Sequence, residues 1–295
     1  MQQTPESPEP THALPEDAGS VILKEHREIW SKKPALRRVY EFYFRTILDA
    51  CGPTRPIVEL GSGPGFLKAF CPEIIATDIS PTPWIDAVVD GCRLPYRDES
   101  VGNIVMMDVF HHIAKPMAFL TEASRVLTLG GRIVMLEPWT SPLGYLFYRY
   151  IHHEGADRNV NPQHPFACEK LAFDGNAALP KMFFARANVR DDPTVAFTTI
   201  GLRVRSLKSF PAASWLLTGG FRPYGLLPVA CVPLARCLDA LLSPVRILCA
   251  LRAIIVLERT TSSTKTQRAS DVAPGTRRSI DAPVFPHRHT EHKKA

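Results

Sequence analysis

A glycine-rich turn after a buried strand is the feature that most constrains how this chain can fold. Residues 59–65 read ELGSGPG, and they continue from a short apolar run at 56–60. The three glycines let the backbone turn sharply and approach a ligand without Cβ atoms in the way. The N-terminus of the helix that follows offers free N–H groups to an anionic group. Taken alone, the turn fits a ligand-binding loop and an ordinary strand-to-helix connection equally well.

Strand and helix signals alternate along the chain on both sides of this turn. Helices are predicted at 21–50, divided by Pro34, at 66–70, and at 116–127, where Gly130-Gly131 would end the helix. Strands are predicted at 56–60, 74–77, 87–89, 103–107, 132–136, 195–205 and 253–258. Near-continuous apolar strands that alternate with helices indicate an α/β fold. We therefore predict a Rossmann-like, doubly wound, mostly parallel seven-stranded sheet with helices on both faces.

Composition separates this domain from the two ends of the chain. Residues 1–19 are rich in Pro, Glu and Ser, and 260–295 form a basic tail without periodicity, so both are predicted to be disordered. The remaining domain at 20–259 divides into a core at 55–138 that contains the glycine-rich turn, a cap at 139–190, and closing strands with a helix at 191–259. The net charge of +6 is spread out rather than clustered, so no nucleic-acid partner is expected.

Cysteine usage and the N-terminus bear on the compartment. The seven cysteines are scattered without a CxxC pair, which argues against a zinc ribbon or a disulfide scaffold. The first ten residues contain neither a basic nor an apolar segment, so they do not form a secretory signal. We expect a reducing, cytoplasmic environment.

Two aspartates stand at the ends of the next predicted strands. Asp78 follows the second strand, where a carboxylate can accept hydrogen bonds from both hydroxyls of a ribose. Asp90 follows the third strand, where it could bind the amine of an adenine while the backbone of Gly91 and Cys92 reads the ring edge. Either aspartate alone is explained as well by a turn. Three such features in order along one sheet are hard to attribute to chance, and the GxGxG spacing with Asp90 argues against an NAD-linked oxidoreductase.

With these residues in place, the sequence resembles the class I S-adenosylmethionine-dependent methyltransferases, in the branch called methyltransferase type 11. The matching segments are ELGSGPG at 59–65, ATDIS at 76–80, DGCRLPYRDESVGNIVMMDVFHHI at 90–113 and RVLTLGGRIVMLEP at 125–138. The resemblance implies S-adenosylmethionine as the cofactor. The methionine part of the cofactor would be held by the glycine turn, whose residues are Gly61, Ser62, Gly63 and Gly65. Glu59 would orient the amino group of the methionine part, and Asp108 would line the same side.

The resemblance also assigns the nucleoside part of the cofactor. Asp78, with Ile79 beside it, would bind the ribose hydroxyls. Asp90 would bind the adenine amine, with Gly91 and Cys92 alongside.

The methyl group of a sulfonium is already electrophilic, so the enzyme would mainly align an acceptor in line with the S–CH₃ bond. An oxygen acceptor would also need a general base, and the candidates are His111, His112 and Glu137, with His152 or His153 as alternatives. A packed histidine or an N-cap glutamate would explain the same residues. No metal site is predicted, since 152–154 lack a third ligand at HExxH-type spacing.

The acceptor must be recognised outside these segments. The aromatic residues in 139–190 could line a pocket, although most would serve in packing. Charged residues and prolines interrupt the apolar run at 226–251, so a buried helix or a peripheral membrane contact fits it better than a spanning helix. We predict methyl transfer to an O or N atom of a small-molecule or lipid-linked acceptor, without an obligate protein partner. A non-catalytic S-adenosylmethionine-binding partner protein is the alternative.

Overall fold

The computed structural model describes residues 18–152, 154–166, 173–185 and 197–260. The two ends predicted to be disordered lie outside these ranges, apart from the first residues of helix α1 and Thr260. His153 and the first residues of the predicted strand at 195–205 also lie outside them.

A mixed sheet forms the centre of the described chain. Its strands are β1 (Ile57–Leu60), β2 (Ile75–Asp78), β3 (Ala87–Val88), β4 (Val101–Met107), β5 (Leu127–Pro138), β6 (Leu202–Phe210) and β7 (Arg252–Arg259). Their order is β3-β2-β1-β4-β5-β7-β6, with parallel pairing from β3 to β5 and β7 antiparallel between β5 and β6. The predicted Rossmann-like, mostly parallel seven-stranded sheet is confirmed.

Helices cover both faces of this sheet. They are α1 (Ala18–Lys32), α2 (Pro34–Ala50), α3 (Phe66–Phe70), α4 (Pro116–Val126), α5 (Pro142–Tyr150), α6 (Leu179–Phe184), α7 (Ala213–Thr218), α8 (Val232–Leu242) and α9 (Arg246–Cys249). Alternate residues of β4 point to opposite faces: Ile104 and Met106 pack in the core with α4 and α6, and Val105 packs in the core with α2, α3 and α5. The near-continuous apolar strands of the sequence are thus buried on both sides.

Several element boundaries differ from the sequence prediction: for example, β4 begins at Val101 and β5 at Leu127, where the predicted strands begin at 103 and 132. Helix α1 begins at Ala18 rather than at residue 21. Helix α4 ends at Val126 and β5 follows at once, so Gly130-Gly131 form a bulge inside β5 instead of ending the helix. A Cβ on Gly131 would meet the carbonyl oxygen of Thr128 at 2.8 Å, which explains why glycine is needed there. Strand β6 is shifted to Leu202–Phe210, because a 3₁₀ turn occupies Phe197–Ile200.

Candidate active site

A large cavity opens at the carboxyl ends of the parallel strands. Its volume is about 1410 Å³, and the ends of β1, β2 and β4 form its floor. Ten of the eleven residues predicted to bind the cofactor line it directly: Glu59, Gly61, Ser62, Gly63, Asp78, Ile79, Asp90, Gly91, Cys92 and Asp108. Gly65 is absent from the described lining. The strand ends therefore bring these residues to one site, as parallel-sheet geometry requires.

The glycine turn is tied to the end of β2 by its backbone. The N–H of Gly63 donates to Oδ2 of Asp78 at 2.8 Å, and the N–H of Ser80 donates to Oδ1 of the same carboxylate at 2.9 Å. Gly61 has φ +69°, and a Cβ there would lie 2.4 Å from Cγ2 of Val109. Asp78 thus organises the turn as well as facing the cavity, and Gly61 permits the close approach of β1 and β4.

Gly65 has a different position from the other turn residues. It adopts φ +72° directly before α3, and a Cβ there would meet Cβ of Trp84 at 2.8 Å. Gly65 therefore allows the turn to pack closely against the loop at 80–86, and it does not form part of the cavity wall.

Glu59 is a buried carboxylate at the base of the cavity. Its side chain accepts a hydrogen bond from Oγ of Ser62 at 2.8 Å, and the residue is 4% exposed. Burial raises the pKa of Glu59 to about 7, although the Ser62 hydrogen bond works in the opposite direction. This carboxylate therefore changes charge within the physiological pH range.

Asp90 sits at the rim of the cavity after β3. Its Oδ1 accepts a hydrogen bond from the N–H of Cys92 at 2.8 Å, which orders the short turn between them. Ile79 lies on the same side, with 59% of its surface exposed. Both residues are exposed and line the cavity, so the cavity is open to solvent at this edge of the sheet.

Asp108 lies at the centre of the site and is held by a buried arginine. Its φ is +58°, and Nη2 of Arg252 donates to its Oδ2 at 2.8 Å. Arg252 is 2% exposed, and its guanidinium lies 5.4 Å from the ring centre of Trp215 and 5.5 Å from that of Tyr43. Sequence reasoning missed Arg252, because it begins β7 far along the chain and only the antiparallel insertion of that strand brings it to Asp108.

A polar wall beyond Asp108 contains the predicted base candidates. His111 is fully buried between two carboxylates, with Nδ1 2.7 Å from Oε2 of Glu137 and Nε2 3.1 Å from Oε2 of Glu154. Glu137 is also fully buried, and its Oε1 accepts hydrogen bonds from the N–H groups of Val109 and Phe110. His111 and Glu137 are therefore behind the lining of the cavity, whereas His112 and Glu154 are part of it.

The charges in this wall support one another. Burial works against a charged imidazole, but the carboxylates of Glu154 and Glu137 outweigh burial and raise the pKa of His111 to about 10. Burial likewise works against the two carboxylates, but the contact with His111 lowers the pKa of both Glu137 and Glu154. The three side chains form one electrostatic unit.

Sequence reasoning missed Glu154 as a member of this unit. His112 places Nε2 3.4 Å from Oε1 of Glu154, and His152 places Nδ1 3.6 Å from Oε2 of the same residue. Residues 173–176, which precede α6, pack onto the 3₁₀ turn Phe110–His112 that follows β4, and the N–H of Asn176 donates to the carbonyl of His111. The segment HHE at 152–154 was the available signal, but its spacing gave no reason to join it to His111 and His112.

The opposite wall of the cavity is mostly apolar. Its residues come from α1, α2, α5 and the segment at 215–226, and they include Leu23, Tyr40, Phe147, Tyr148, Trp215, Phe221 and Leu226. Stacking of His26 on Phe221, with ring centres 4.3 Å apart, joins α1 to the last of these segments. Among the described aromatic residues of the predicted cap at 139–190, only Phe147, Tyr148 and Phe173 line the cavity. The apolar wall thus draws on segments well outside that cap.

Comparison with known proteins agrees with this site. Residues 58–135 match the family model described as a methyltransferase domain. The fold and this match define an S-adenosylmethionine-dependent methyltransferase, with S-adenosylmethionine as its cofactor. More narrowly, residues 58–135 match the type 11 branch of the class I methyltransferases. The predicted family, enzyme class and cofactor are confirmed, and the match to an enzyme domain favours catalysis over a non-catalytic binding protein.

Three solved structures of similar fold are described as methyltransferases, two of them in complexes. A geranyl diphosphate methyltransferase in complex with S-adenosylmethionine has 15% identity over 84% of this chain and 93% of its own, with a TM-score of 0.47. A methyltransferase from Archaeoglobus fulgidus has 15% identity over 76% and 94%, with a TM-score of 0.46. A chain from the Haloferax volcanii complex of the Trm112 methyltransferase activator with a methyltransferase has 15% identity over 84% and 99%, with a TM-score of 0.43. No curated protein matches the chain in sequence.

Proposed function

We propose that this enzyme transfers the methyl group of S-adenosylmethionine to an O or N atom of a lipophilic or lipid-linked small molecule that enters from a membrane surface. The observation that carries the proposal is the continuity between the apolar wall of the cavity and an exposed apolar surface outside it. Tyr224, Leu226 and Ile151 belong to both, since they line the cavity and are 63%, 82% and 58% exposed.

The exposed apolar surface is built mainly from α8 and α9. Leu234, Leu238 and Leu241 follow one another at helical spacing on the outer side of α8, while Val232 and Ala235 pack inward. Leu234, Leu241 and Ile247 are 72%, 76% and 79% exposed. A helix that turns its leucines to the outside is the reverse of the pattern expected for a helix in water, and such a patch is typical of an interaction surface.

Helix α5 extends the same surface. Ser141, which caps α5, donates from Oγ to the carbonyl of Leu248 in α9, so the two helices are neighbours. Leu143, Leu146 and Tyr150 of α5 are all more than half exposed. We call the exposed apolar side chains of α5, α8, α9 and residues 224–229 the apolar surface.

Arginines accompany the apolar surface. Arg236 and Arg246 lie on α8 and α9, and Arg222 precedes the part that lines the cavity. The Arg236 guanidinium packs 3.2 Å from the ring centre of Phe42. Apolar side chains between arginines suit the boundary between acyl chains and anionic headgroups. None of the described helices is both long enough and apolar enough to cross a bilayer, so the proposed contact is peripheral.

The reaction is an in-line displacement at the methyl carbon. The acceptor lone pair forms the new bond, the S–C bond breaks, and S-adenosylhomocysteine leaves as a neutral thioether. The proton of the acceptor O–H or N–H group passes to a base or to water. Positioning the two partners and excluding water can supply on the order of 7–11 kcal/mol of the barrier reduction. We assign cofactor binding to the predicted residues that line the cavity, with Gly65 shaping the turn behind them.

Of the three predicted base candidates, only His112 lines the cavity. We place the acceptor beside His112, at the polar end of the cavity. His111 and Glu137 act as positioning residues, because neither lines the cavity and His111 meets it through Glu154 and His112. The expected cytoplasmic location remains a prediction, with the apolar surface on the membrane side.

A transfer experiment with labelled methyl groups tests this proposal. The protein is incubated with S-adenosylmethionine carrying an isotopic label in the methyl group, together with either a lipid extract or a water-soluble extract of cells. We expect label in the organic phase of the lipid reaction, and none with the Asp78→Ala variant, which controls for cofactor binding. Label confined to water-soluble products would overturn the lipophilic acceptor.

A further inference from the structure

We propose that His111, His112 and Glu154 form a binding site for one divalent transition-metal ion, with Zn²⁺ as the best-suited ion, on the acceptor side of the cavity. The two histidines belong to the turn after β4, and Glu154 follows α5, so the site joins two separate parts of the fold. Two imidazoles and one carboxylate are a known donor set for catalytic zinc.

The distances between the donor atoms suit one small ion. One ligand atom from each residue lies within 4.8 Å of the other two. Nε2 of His111 is 3.1 Å from Oε2 of Glu154, and Nε2 of His112 is 3.4 Å from Oε1. Ligands at about 2.0–2.2 Å from a tetrahedral zinc ion are separated by about 3.4 Å. The two histidine–glutamate separations are already close to that value, and the third separation is within 4.8 Å.

Hydrogen bonds at Nδ1 of both histidines orient their Nε2 atoms toward the proposed ion site. His111 donates from Nδ1 to Oε2 of Glu137, and His112 donates from Nδ1 to the carbonyl oxygen of Asp174 at 3.0 Å. Each contact holds a proton on Nδ1, so Nε2, which faces Glu154, is the nitrogen that would give up its proton to bind an ion. Metal-binding histidines almost always have their other ring nitrogen bonded to a carboxylate or a carbonyl in this way.

Glu137 completes the arrangement as the outer carboxylate. It is fully buried, and the N–H groups of Val109 and Phe110 hold its other oxygen at 3.0 and 2.8 Å. The carboxylate therefore cannot turn away from His111. This contact orients the ring and makes its Nε2 a better donor.

The site has an open side. His112 and Glu154 line the cavity together with Asp108 and His152, so a fourth position on the ion would face the bound acceptor. An acceptor oxygen at that position would be polarised and would lose its proton more readily. This catalytic role depends on the proposed function, whereas ion binding itself does not.

Ion binding is tested on the full-length protein after treatment with a chelator, without cofactor or acceptor. Titration with Co²⁺ should produce visible d–d absorption bands that reach a plateau at one ion per chain, and Zn²⁺ should remove them by displacement. Calorimetry with Zn²⁺ should give the same stoichiometry. Because neither readout involves methyl transfer, failure here is distinguishable from failure of the proposed function.

Variants identify the ligands. His112→Ala and Glu154→Gln, both at residues of the cavity lining, should abolish the Co²⁺ bands, and Glu137→Gln should weaken binding by about 10–100-fold. His164→Ala changes an exposed histidine outside the cluster and should bind as the unmodified protein does. Far-ultraviolet circular dichroism confirms that each variant is folded. Absence of Co²⁺ bands in the unmodified protein, or equal bands in Glu154→Gln, would overturn the proposal and leave His111 as a proton bridge between two carboxylates.

Discussion

The two walls of the cavity are built in different ways. The cofactor wall consists of short turns at the ends of β1, β2 and β3, and its contacts join backbone N–H groups to nearby carboxylates such as Asp78 and Asp90. The acceptor wall consists of large side chains from α1, α2, α5 and 215–226, and it continues into the apolar surface. The cofactor wall depends on backbone geometry, whereas the acceptor wall depends on the packing of distant segments.

This difference separates two kinds of recognition within one site. Backbone turns present a fixed pattern of donors and acceptors, which suits a cofactor that is always the same. Apolar side chains provide shape and area with little directional demand, which suits an acceptor that brings a hydrocarbon part. Substitutions in the two walls should therefore affect different steps.

The largest expected effect is on the cofactor wall. Asp78→Ala removes the carboxylate that anchors the glycine turn and is assigned to the ribose hydroxyls. We expect S-adenosylhomocysteine binding, measured by calorimetry, to weaken by about 100-fold, because hydrogen bonds to charged groups contribute about 1.5–3 kcal/mol each. Asp98→Ala removes an acid whose side chain is 75% exposed and should bind normally. Unchanged affinity in Asp78→Ala would remove the ribose assignment.

The next effect concerns the acceptor wall and its apolar surface. The double variant Leu241→Glu with Ile247→Glu places two charges on that surface. Binding to anionic lipid vesicles, measured by cosedimentation, should fall by at least about tenfold, because burying such side chains contributes about 1.5–3 kcal/mol each. Leu129→Glu is the matched control, since Leu129 is 63% exposed at the amino end of β5, away from the cavity. Equal losses in both variants would show general rather than surface-specific binding.

A smaller effect should appear in the pH dependence of cofactor binding. The pKa of Glu59 is raised to about 7 by burial, and only its ionised form attracts the ammonium group of the cofactor. Affinity for S-adenosylhomocysteine should therefore rise with pH through about 7, by up to about tenfold between about pH 6 and pH 8. Calorimetry across this range checks the prediction. Glu59→Gln should remove the dependence, and an unchanged profile in that variant would exclude Glu59 as its source.

The smallest predicted effect refines the same measurement. Ser62 lowers the pKa of Glu59 through its hydrogen bond, so Ser62→Ala should move the midpoint of the profile to higher pH. The shift should be below about one unit, because one hydrogen bond contributes about 1 kcal/mol. Ser100→Ala, at an exposed serine, should leave the midpoint in place. A midpoint that moves to lower pH would contradict the assigned contact.

The same contrast explains what the sequence could predict. Cofactor-wall residues lie within about one turn of a strand end, so local spacing and strand alternation indicated Asp78, Asp90 and the glycine turn. Arg252 and Glu154 are brought to the site by contacts between segments that are distant in sequence. Strand β7 lies antiparallel beside β5, which places Arg252, and residues that follow α5 pack onto the turn after β4, where Glu154 lies. The shift of β6 had a local cause, a 3₁₀ turn before the strand, but the apolar composition of 195–205 gave no sign of it.

Entry of the acceptor from the membrane surface is tested most directly by the rate of S-adenosylhomocysteine formation with a lipid extract presented in anionic vesicles. We expect the double variant Leu241→Glu with Ile247→Glu to lower this rate by at least about tenfold, while its affinity for S-adenosylhomocysteine stays that of the unmodified protein. The Leu129→Glu variant should form S-adenosylhomocysteine at the rate of the unmodified protein. Equal rates in the unmodified protein and the double variant would contradict entry of the acceptor from the membrane surface.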